Sequence, residues 1–432
     1  MFGKRLKNSC FLPLLWMVIT LSGACSSVHQ EEAVLFDSNL TVEANIASNL
    51  ITLENNNSFD ELDRFVKDKR IVILGESTHY DGTTFETKVN WIRHLHEKHG
   101  FDIIAWETLA PLAATFTQGA DKWSIQDLLG QWSRWKECQP LLKMIDAGSL
   151  KSIGIDLPQY GYTIGNHGIS YVDILQQAVK KVDSPGIFKI NWTRLKELYA
   201  KSFNRFNDSL PVSDIPQKAE LVEMMELFNQ IDKYALLLSK EYGKDTEIIR
   251  RSISNNKVYF RHLPYILRPD FTANTEGLII GNNYRDRQMA DNLIWYLDQN
   301  PDKKIIVWCA NTHGSRDISE IISTTDSLMY FQMQLLGEYL AQKYGDELYT
   351  VAFTSSSPVY AYRPIGKLEQ ELEKSKSNYG FIDFTALRYH PDYFGKYFNS
   401  NIDRTKDGRF LFAWDGVYYI RKEHKATPVK QQ

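Results

Sequence analysis

Four consecutive apolar residues, Ile71-Val72-Ile73-Leu74, run into Gly75 and then into Glu76, Ser77, Thr78 and His79. An uninterrupted β-branched run bounded by glycine fits a strand covered on both faces, as in a parallel sheet, rather than the alternation of a half-exposed one. The period then changes. From near Thr84, the residues Phe85, Val89, Ile92 and Leu95 recur at helical spacing, with Lys88 beside the apolar stripe. Further short apolar runs predict strands at 101–106, 152–155, 304–309 and 348–353, and two closing β segments at 381–384 and 417–420. Between them, amphipathic spacing predicts helices in the Trp-rich stretch 121–147, broken near Pro140, and at 283–297 and 329–344. Residues 171–265 carry helical stripes with Lys/Glu faces and no strand signal. The pattern predicts an α/β fold: a mostly parallel central sheet with flanking helices, and an α-helical insertion at about 171–265 that forms a lid over the carboxyl edge. A purely structural helical layer is the alternative for that insertion.

Composition narrows the class. The 432 residues, 43% hydrophobic and 24% charged, suffice for one large domain or a domain with an inserted part. A formal charge of −3 leaves no basic footprint for nucleic acid. The first residues look like an address: Lys4, Arg5 and Lys7 precede an apolar run over 10–21, too short to span a bilayer. Ser22, Gly23 and Ala24 then lead to Cys25, as in a bacterial lipoprotein signal, with ordinary signal-peptidase cleavage as the alternative. The expected organisation is a leader over 1–24, Cys25 as the lipidated first residue of the mature chain, and a tether over 25–57. A main folded domain over 58–422 and a polar tail over 423–432 complete it. The expected location is the bacterial cell envelope, anchored by lipid on the periplasmic or outer-membrane face. Only Cys138 and Cys309 remain in the body, which is no disulfide scaffold.

The candidate chemistry lies where strands end. The first four strong strands end on Glu76 and His79, on Glu107, on Asp156, and on Asn311 and His313. Parallel strands would bring these groups to one edge, where α/β sheets place their ligands. An imidazole there can take a proton from water as the water attacks a carbonyl. Nearby carboxylates would fix its tautomer and stabilise the imidazolium. Lys88 and Arg285 would balance buried negative charge or bind a developing oxyanion, so Lys88, Asp156, Arg285 and Asn311 are the candidate substrate-binding residues. Taken singly, Glu76 could equally cap a helix and Asp156 anchor a turn. His94, His96 and His99 crowd a helix end and are assigned to structure. There is no Gly-x-Ser-x-Gly elbow and no Gly-rich phosphate loop, and Ser77 is not by itself a nucleophile. His79, His313, Glu76 and Glu107 also admit a metal-dependent hydrolase of an ester or amide, although no His-Glu-x-x-His spacing occurs. A non-enzymatic, lipid-anchored envelope binding protein is the reading from a different class.

Several blocks, in order, resemble the erythromycin esterases: Gly75-Glu76-Ser77-Thr78-His79, His99-Gly100-Phe101-Asp102, Trp106-Glu107, and Gly154-Ile155-Asp156-Leu157-Pro158. Two longer ones follow, Arg285-Asp286-Arg287-Gln288-Met289-Ala290-Asp291-Asn292 and Ile305-Ile306-Val307-Trp308-Cys309-Ala310-Asn311-Thr312-His313. The resemblance spans roughly 58–422. It implies opening of a macrolide lactone by water without a cofactor, with His79 as general base and Glu76, Glu107 and His313 in the active site. The implied partner is a small-molecule ester or lactone. Two positions depart from the family's pattern. Where it reads Trp-Ala-His-Asn-x-His, the first histidine is Ala310 here, and an expected arginine is Lys88, which keeps the charge but loses the planar fork. Ala310 is what favours the non-enzymatic alternative.

Overall fold

The computed structural model describes residues 34–109, 132–157, 163–164, 169–203, 216–243, 246–266, 275–322, 331–359, 365–402 and 406–429. The leader, Cys25 and the first part of the expected tether lie outside the described residues, as do residues 121–131 of the Trp-rich stretch. In chain order the strands are β1 (Ile51–Leu53), β2 (Ile71–Leu74), β3 (Phe101–Leu109), β4 (Lys151–Asp156), β5 (Thr163–Ile164), β6 (Ile169–Ser170) and β7 (Lys304–Trp308). Then come β8 (Ile321–Ile322), β9 (Leu348–Ser355), β10 (Tyr379–Asp383), β11 (Phe398–Ser400), β12 (Lys406–Gly408) and β13 (Gly416–Ile420).

The central sheet has eight strands in the order β1-β10-β13-β9-β2-β7-β3-β4. Every pairing from β13 across to β4 is parallel, and β10 and β1 continue the sheet antiparallel at one side. This is the mixed α/β, mostly parallel sheet with flanking helices that the pattern predicts. Coverage of both faces explains the apolar runs. Along β2, Val72 and Leu74 enter a core with Phe85, Val89, Ile92 and Leu95 of the helix Gly82–His99. Ile71 and Ile73 point the other way, onto Met289, Leu293 and Leu297 of the helix Thr275–Gln299.

The helix after β2 starts at Gly82 because Asp81 caps it, its carboxylate accepting from the Thr84 N–H at 3.1 Å. It stops at Gly100, whose φ of 71° suits a glycine cap. The expected insertion is helical where described, with Tyr171–Val182, Trp192–Phe203, Lys218–Asp232, Ala235–Tyr242 and Thr246–Ile266 sharing a core of their own. It is fastened along Thr275–Gln299: the Gly281 carbonyl is 2.6 Å from His262 Nδ1, and Asn255 Oδ1 is 3.1 Å from Asn292 Nδ2. Asn292 also donates to the Ile155 carbonyl at the end of β4, at 2.9 Å.

Three sequence expectations are corrected. The stretch expected as a tether to residue 57 contains the helix Val42–Ser48, capped by Thr41, and the edge strand β1, with Ile46 and Leu53 buried. Both elements are too short to show a period. The expected polar tail packs down: Lys425 bridges to Asp81, Ala426 is buried, and the Thr427 N–H donates to Glu137 at 3.0 Å. Its backbone partners, not its polarity, decide its place. The helix expected from 329 is Leu336–Tyr344 among the described residues. No helix of the described residues is long and apolar enough to cross a membrane.

Gly75 ends β2 with its N–H on the Val351 carbonyl at 2.8 Å, and a methyl there would meet Asn311 Oδ1 at 2.2 Å. Asn311 cannot retreat, because that oxygen accepts from the Phe353 N–H at 3.0 Å and its amide donates to Phe353 and Ile402. Gly75→Ala should therefore destabilise the fold by about 1–3 kcal/mol in urea unfolding. An unchanged midpoint would contradict this packing.

Candidate active site

The carboxyl ends of β2, β7, β3 and β4 are neighbours, and the polar groups that follow them meet in two linked clusters. The first is built on Glu76, whose carbonyl accepts from the Asn311 N–H at 2.8 Å and so ties the end of β2 to that of β7. Its carboxylate is buried and divided between two partners. Oε2 accepts from Lys88 Nζ at 2.8 Å, and Oε1 lies 2.7 Å from His79 Nδ1. Lys88, from the second turn of Gly82–His99, is fully buried, with its ammonium 3.9 Å from the centroid of the Trp308 ring.

The second cluster is built on Arg285, which Thr275–Gln299 aims across the ends of three strands. Nε donates to Asp156 Oδ1 at 3.0 Å, one terminal nitrogen donates to Asp156 Oδ2 at 2.6 Å and Glu107 Oε1 at 2.7 Å, and the other lies 2.9 Å from His313 Nε2. Glu107 Oε2 accepts from the Ala310 N–H at 2.8 Å. His313, on the short turn Asn311–Gly314, puts Nδ1 2.7 Å from Asp286 Oδ1, which also accepts from the Leu336 N–H at 3.0 Å.

The structure thus brings Glu76, His79, Glu107, Asp156, Arg285 and His313 to one edge. Three expectations of substrate binding are corrected. Lys88 has no exposed surface and is committed to Glu76, the counter-charge that a buried carboxylate requires. Asn311 turns its amide onto Phe353 and Ile402, a brace between β9 and the following loops. Asp156 spends its oxygens on Arg285 and on the Leu157 N–H at 2.7 Å, so it positions the guanidinium. Sequence reasoning missed Asp286. Its signal was its place beside Arg285 in a quoted block, but neighbours one residue apart on a helix face different ways.

Electrostatics follow from the count. The carboxylates of Glu76, Glu107, Asp156 and Asp286 face two fixed cations, Lys88 and Arg285, which leaves the two imidazoles to balance the remaining negative charge. Burial opposes an imidazolium at His79, but the Glu76 hydrogen bond and charge outweigh it, with Glu107 adding to them, and the pKa is raised above 6.5. At His313 burial is likewise outweighed, by Asp286 and Glu107, and the pKa is raised. Glu107 is driven the other way: against burial, His313 and Arg285 hold it down at about 2. Burial also lowers the Lys88 ammonium, with Glu76 resisting. The Cys309 thiol is pushed well above its ordinary range by burial and the Glu107 charge, which makes it inert as a nucleophile. Trp132, edge-on to His79 at 5.7 Å between ring centroids, forms an apolar wall continued by Trp106 and Trp308.

For a metal centre, the donor set splits. Glu76 is turned on Lys88 and His79, whereas Glu107 and His313 are turned on Arg285, so these four residues do not converge as ligands.

A family model described as erythromycin esterase matches residues 131–397, more than half of the chain. The chain belongs to the erythromycin esterase family. YbfO of Bacillus subtilis (strain 168), whose name marks it as a candidate hydrolase, is 26% identical over 355 residues, covering 75% of this chain and 76% of that protein. A crystal structure of a Bacillus cereus protein superposes with a TM-score of 0.64 at 17% identity, over 90% of this chain and 100% of that one. A succinoglycan biosynthesis protein gives 0.60 at 15% identity, over 90% and 99%. The erythromycin esterase EreC, as a histidine-to-asparagine variant in its open conformation, gives 0.59 at 16% identity, over 86% and 95%. These structures share the fold. The erythromycin esterase family and YbfO support a hydrolase, and the family suggests a small-molecule substrate.

Removing Lys88 would strand a buried carboxylate. Lys88→Met should lower unfolding stability by about 3–5 kcal/mol, and adding Glu76→Gln should recover part of that loss. Independent, additive losses in a double-mutant cycle would contradict the pair.

Proposed function

We propose that the chain hydrolyses a carboxylic ester, a macrolide lactone of the erythromycin type or a related ester, by direct attack of water with His79 as general base. One observation carries this reading. His79 has a side chain 30% exposed, while Glu76, Lys88, Glu107, Asp156 and Asp286 are at 3% or less and Arg285 and His313 at 11%. It is the group of the clusters that a substrate reaches first. Glu76 accepts from Nδ1, so the neutral ring carries its proton there and offers Nε2 to water.

The water's proton passes to Nε2 as its oxygen attacks the carbonyl carbon, and Glu76 stabilises the imidazolium that forms. Arg285, with His313 when protonated, is the positive charge facing the oxyanion. Collapse breaks the bond to the alkoxy oxygen, which takes the proton from His79 and leaves a carboxylic acid and an alcohol. Ala310 does not remove this machinery. Its contribution is a peptide N–H to Glu107, which any residue except proline supplies. The resemblance to the erythromycin esterases and their solved fold support the lactone as substrate.

His79→Ala should lower turnover by roughly a hundred- to ten-thousand-fold with little change in unfolding stability. Turnover is read as conversion of a macrolide lactone to its hydrated, ring-opened mass. Ala310→His should raise activity on that lactone if the missing histidine limits it. Full activity in His79→Ala would overturn the mechanism, and an inactive wild type and Ala310→His would point to another ester or to the binding protein.

The pH dependence follows from the raised His79 pKa. The base works when neutral, so the acidic limb of kcat/KM should have its midpoint above 6.5. A raised folded-state pKa means that the Glu76–His79 pair stabilises the fold fully below the unfolded value and fades as pH rises through the folded one, where activity appears. Glu76→Gln removes the attraction and leaves burial, so it should move the limb to lower pH. A limb that stays in place in Glu76→Gln would contradict the assignment.

A further inference from the structure

The fold carries a second histidine cluster at the opposite edge of the sheet. The helix Gly82–His99 starts at the carboxyl edge and ends beside the first residue of β3, and its last turns bear His94, His96 and His99. The three part company there. His96 turns to the Phe101 carbonyl at 3.2 Å and Asp102 at 3.2 Å. His94 and His99 turn instead to Asp63, which opens the short helix Asp63–Val66. Asp63 Oδ1 lies 2.6 Å from His94 Nε2 and 2.8 Å from His99 Nε2, and the three candidate ligand atoms fall within 4.8 Å of one another.

We propose that Asp63, His94 and His99 form a binding site for one divalent transition-metal ion, Zn2+ being the best match. Two imidazole nitrogens and a carboxylate oxygen are the donors this ion prefers, and three protein ligands leave a position for water. A shared hydrogen bond would be the plain alternative, but it serves only one ring. His94 Nε2 makes a hydrogen bond to Asp63 Oδ1, whereas His99 Nε2 is buried without one, because it lies off the hydrogen-bonding direction despite the short distance. A buried nitrogen that meets a carboxylate at 2.8 Å without a hydrogen bond to it is poorly satisfied, and an ion between the three donors would satisfy it together with the carboxylate.

Two further features suit a cation. The site lies at a helix C-terminus, where the unpaired carbonyls make the potential negative. A second carboxylate, Asp60, stands 3.9 Å from the far nitrogen of His94, on the side of an outer partner for a ligating imidazole, and its negative charge is shared with the Lys98 ammonium that it accepts from. Bound there, the ion would tie Asp63–Val66 to the helix end that feeds β3. The role is structural, and it is independent of the hydrolytic reading.

The test uses the purified full chain, stripped with chelator and titrated with zinc sulfate by calorimetry. Wild type and His79→Ala should each bind one equivalent with micromolar affinity or tighter, and the ion should raise Tm by several degrees. Co2+ in its place should give the visible bands of a tetrahedral site. His94→Ala, and the milder His99→Gln should the first fail to fold, should lose the binding and the bands by at least tenfold in affinity, and Asp63→Asn should weaken them. His99→Gln should leave ester turnover unchanged. Absence of binding by wild type, or binding that survives loss of the Asp63 and His99 side chains, would overturn the proposal.

Discussion

The carboxyl edge depends on one guanidinium. Arg285 reaches β3 through Glu107, β4 through Asp156 and the turn after β7 through His313, so three strand ends are held by a single planar group. A lysine could not do this. Its compact ammonium has no fork to divide between a carboxylate in bidentate contact and a second carboxylate beside it. The cost of burying Glu107 and Asp156 is met because each of their carboxylate oxygens has a donor, and removal of the guanidinium would leave these two buried carboxylates without their counter-charge. The helix that carries Arg285 is therefore fixed to the sheet by charge near its middle, and by Met289, Leu293 and Leu297 along its C-terminal half.

Around this group the protein holds an excess of negative charge that only its histidines can relieve. That excess raises both imidazole pKa values, and the positive charge of His313 and Arg285 in turn holds Glu107 ionised, as a working base and its supports require. Burial separates the roles. Groups that set the field are shut away, and the ring that they act on stands partly in solvent, backed by the tryptophan wall.

Much of the fold was legible because a sheet covered on both faces writes itself as uninterrupted apolar runs, and β2, β3 and β7 each carry one, while β9 is broken over 348–353 only by Thr350 and β4, at the sheet's edge, shows just Ile153 and Ile155. Strand ends were legible for the same reason, since a polar residue after such a run has one edge to occupy. What the pattern could not show is the direction of a side chain whose partner is distant in sequence. Lys88 and Asn311 have the right type and place for a crevice, yet one is claimed by Glu76 and the other by β9. Asp286 was invisible for the converse reason, because its partner, His313, lies on another element. The helix Val42–Ser48 and β1 are shorter than the window in which a period shows, and β1 exists because β10 offers it an edge.

The two departures from the family's pattern take on a physical sense in this geometry. A lysine at position 88 delivers one point charge to one oxygen of Glu76, and the other oxygen remains for His79. An arginine there would present two parallel donors to the same carboxylate and compete with the imidazole for Oε1 unless the carboxylate turned. At position 310 the fold uses the peptide N–H rather than the side chain, so Glu107 keeps its place whatever residue stands there, proline excepted. Both substitutions spare the contacts that orient His79 and hold Glu107. Lys88 is fully buried, so of the two only position 310, half-buried beside Glu107, can bear on what approaches these groups from the crevice.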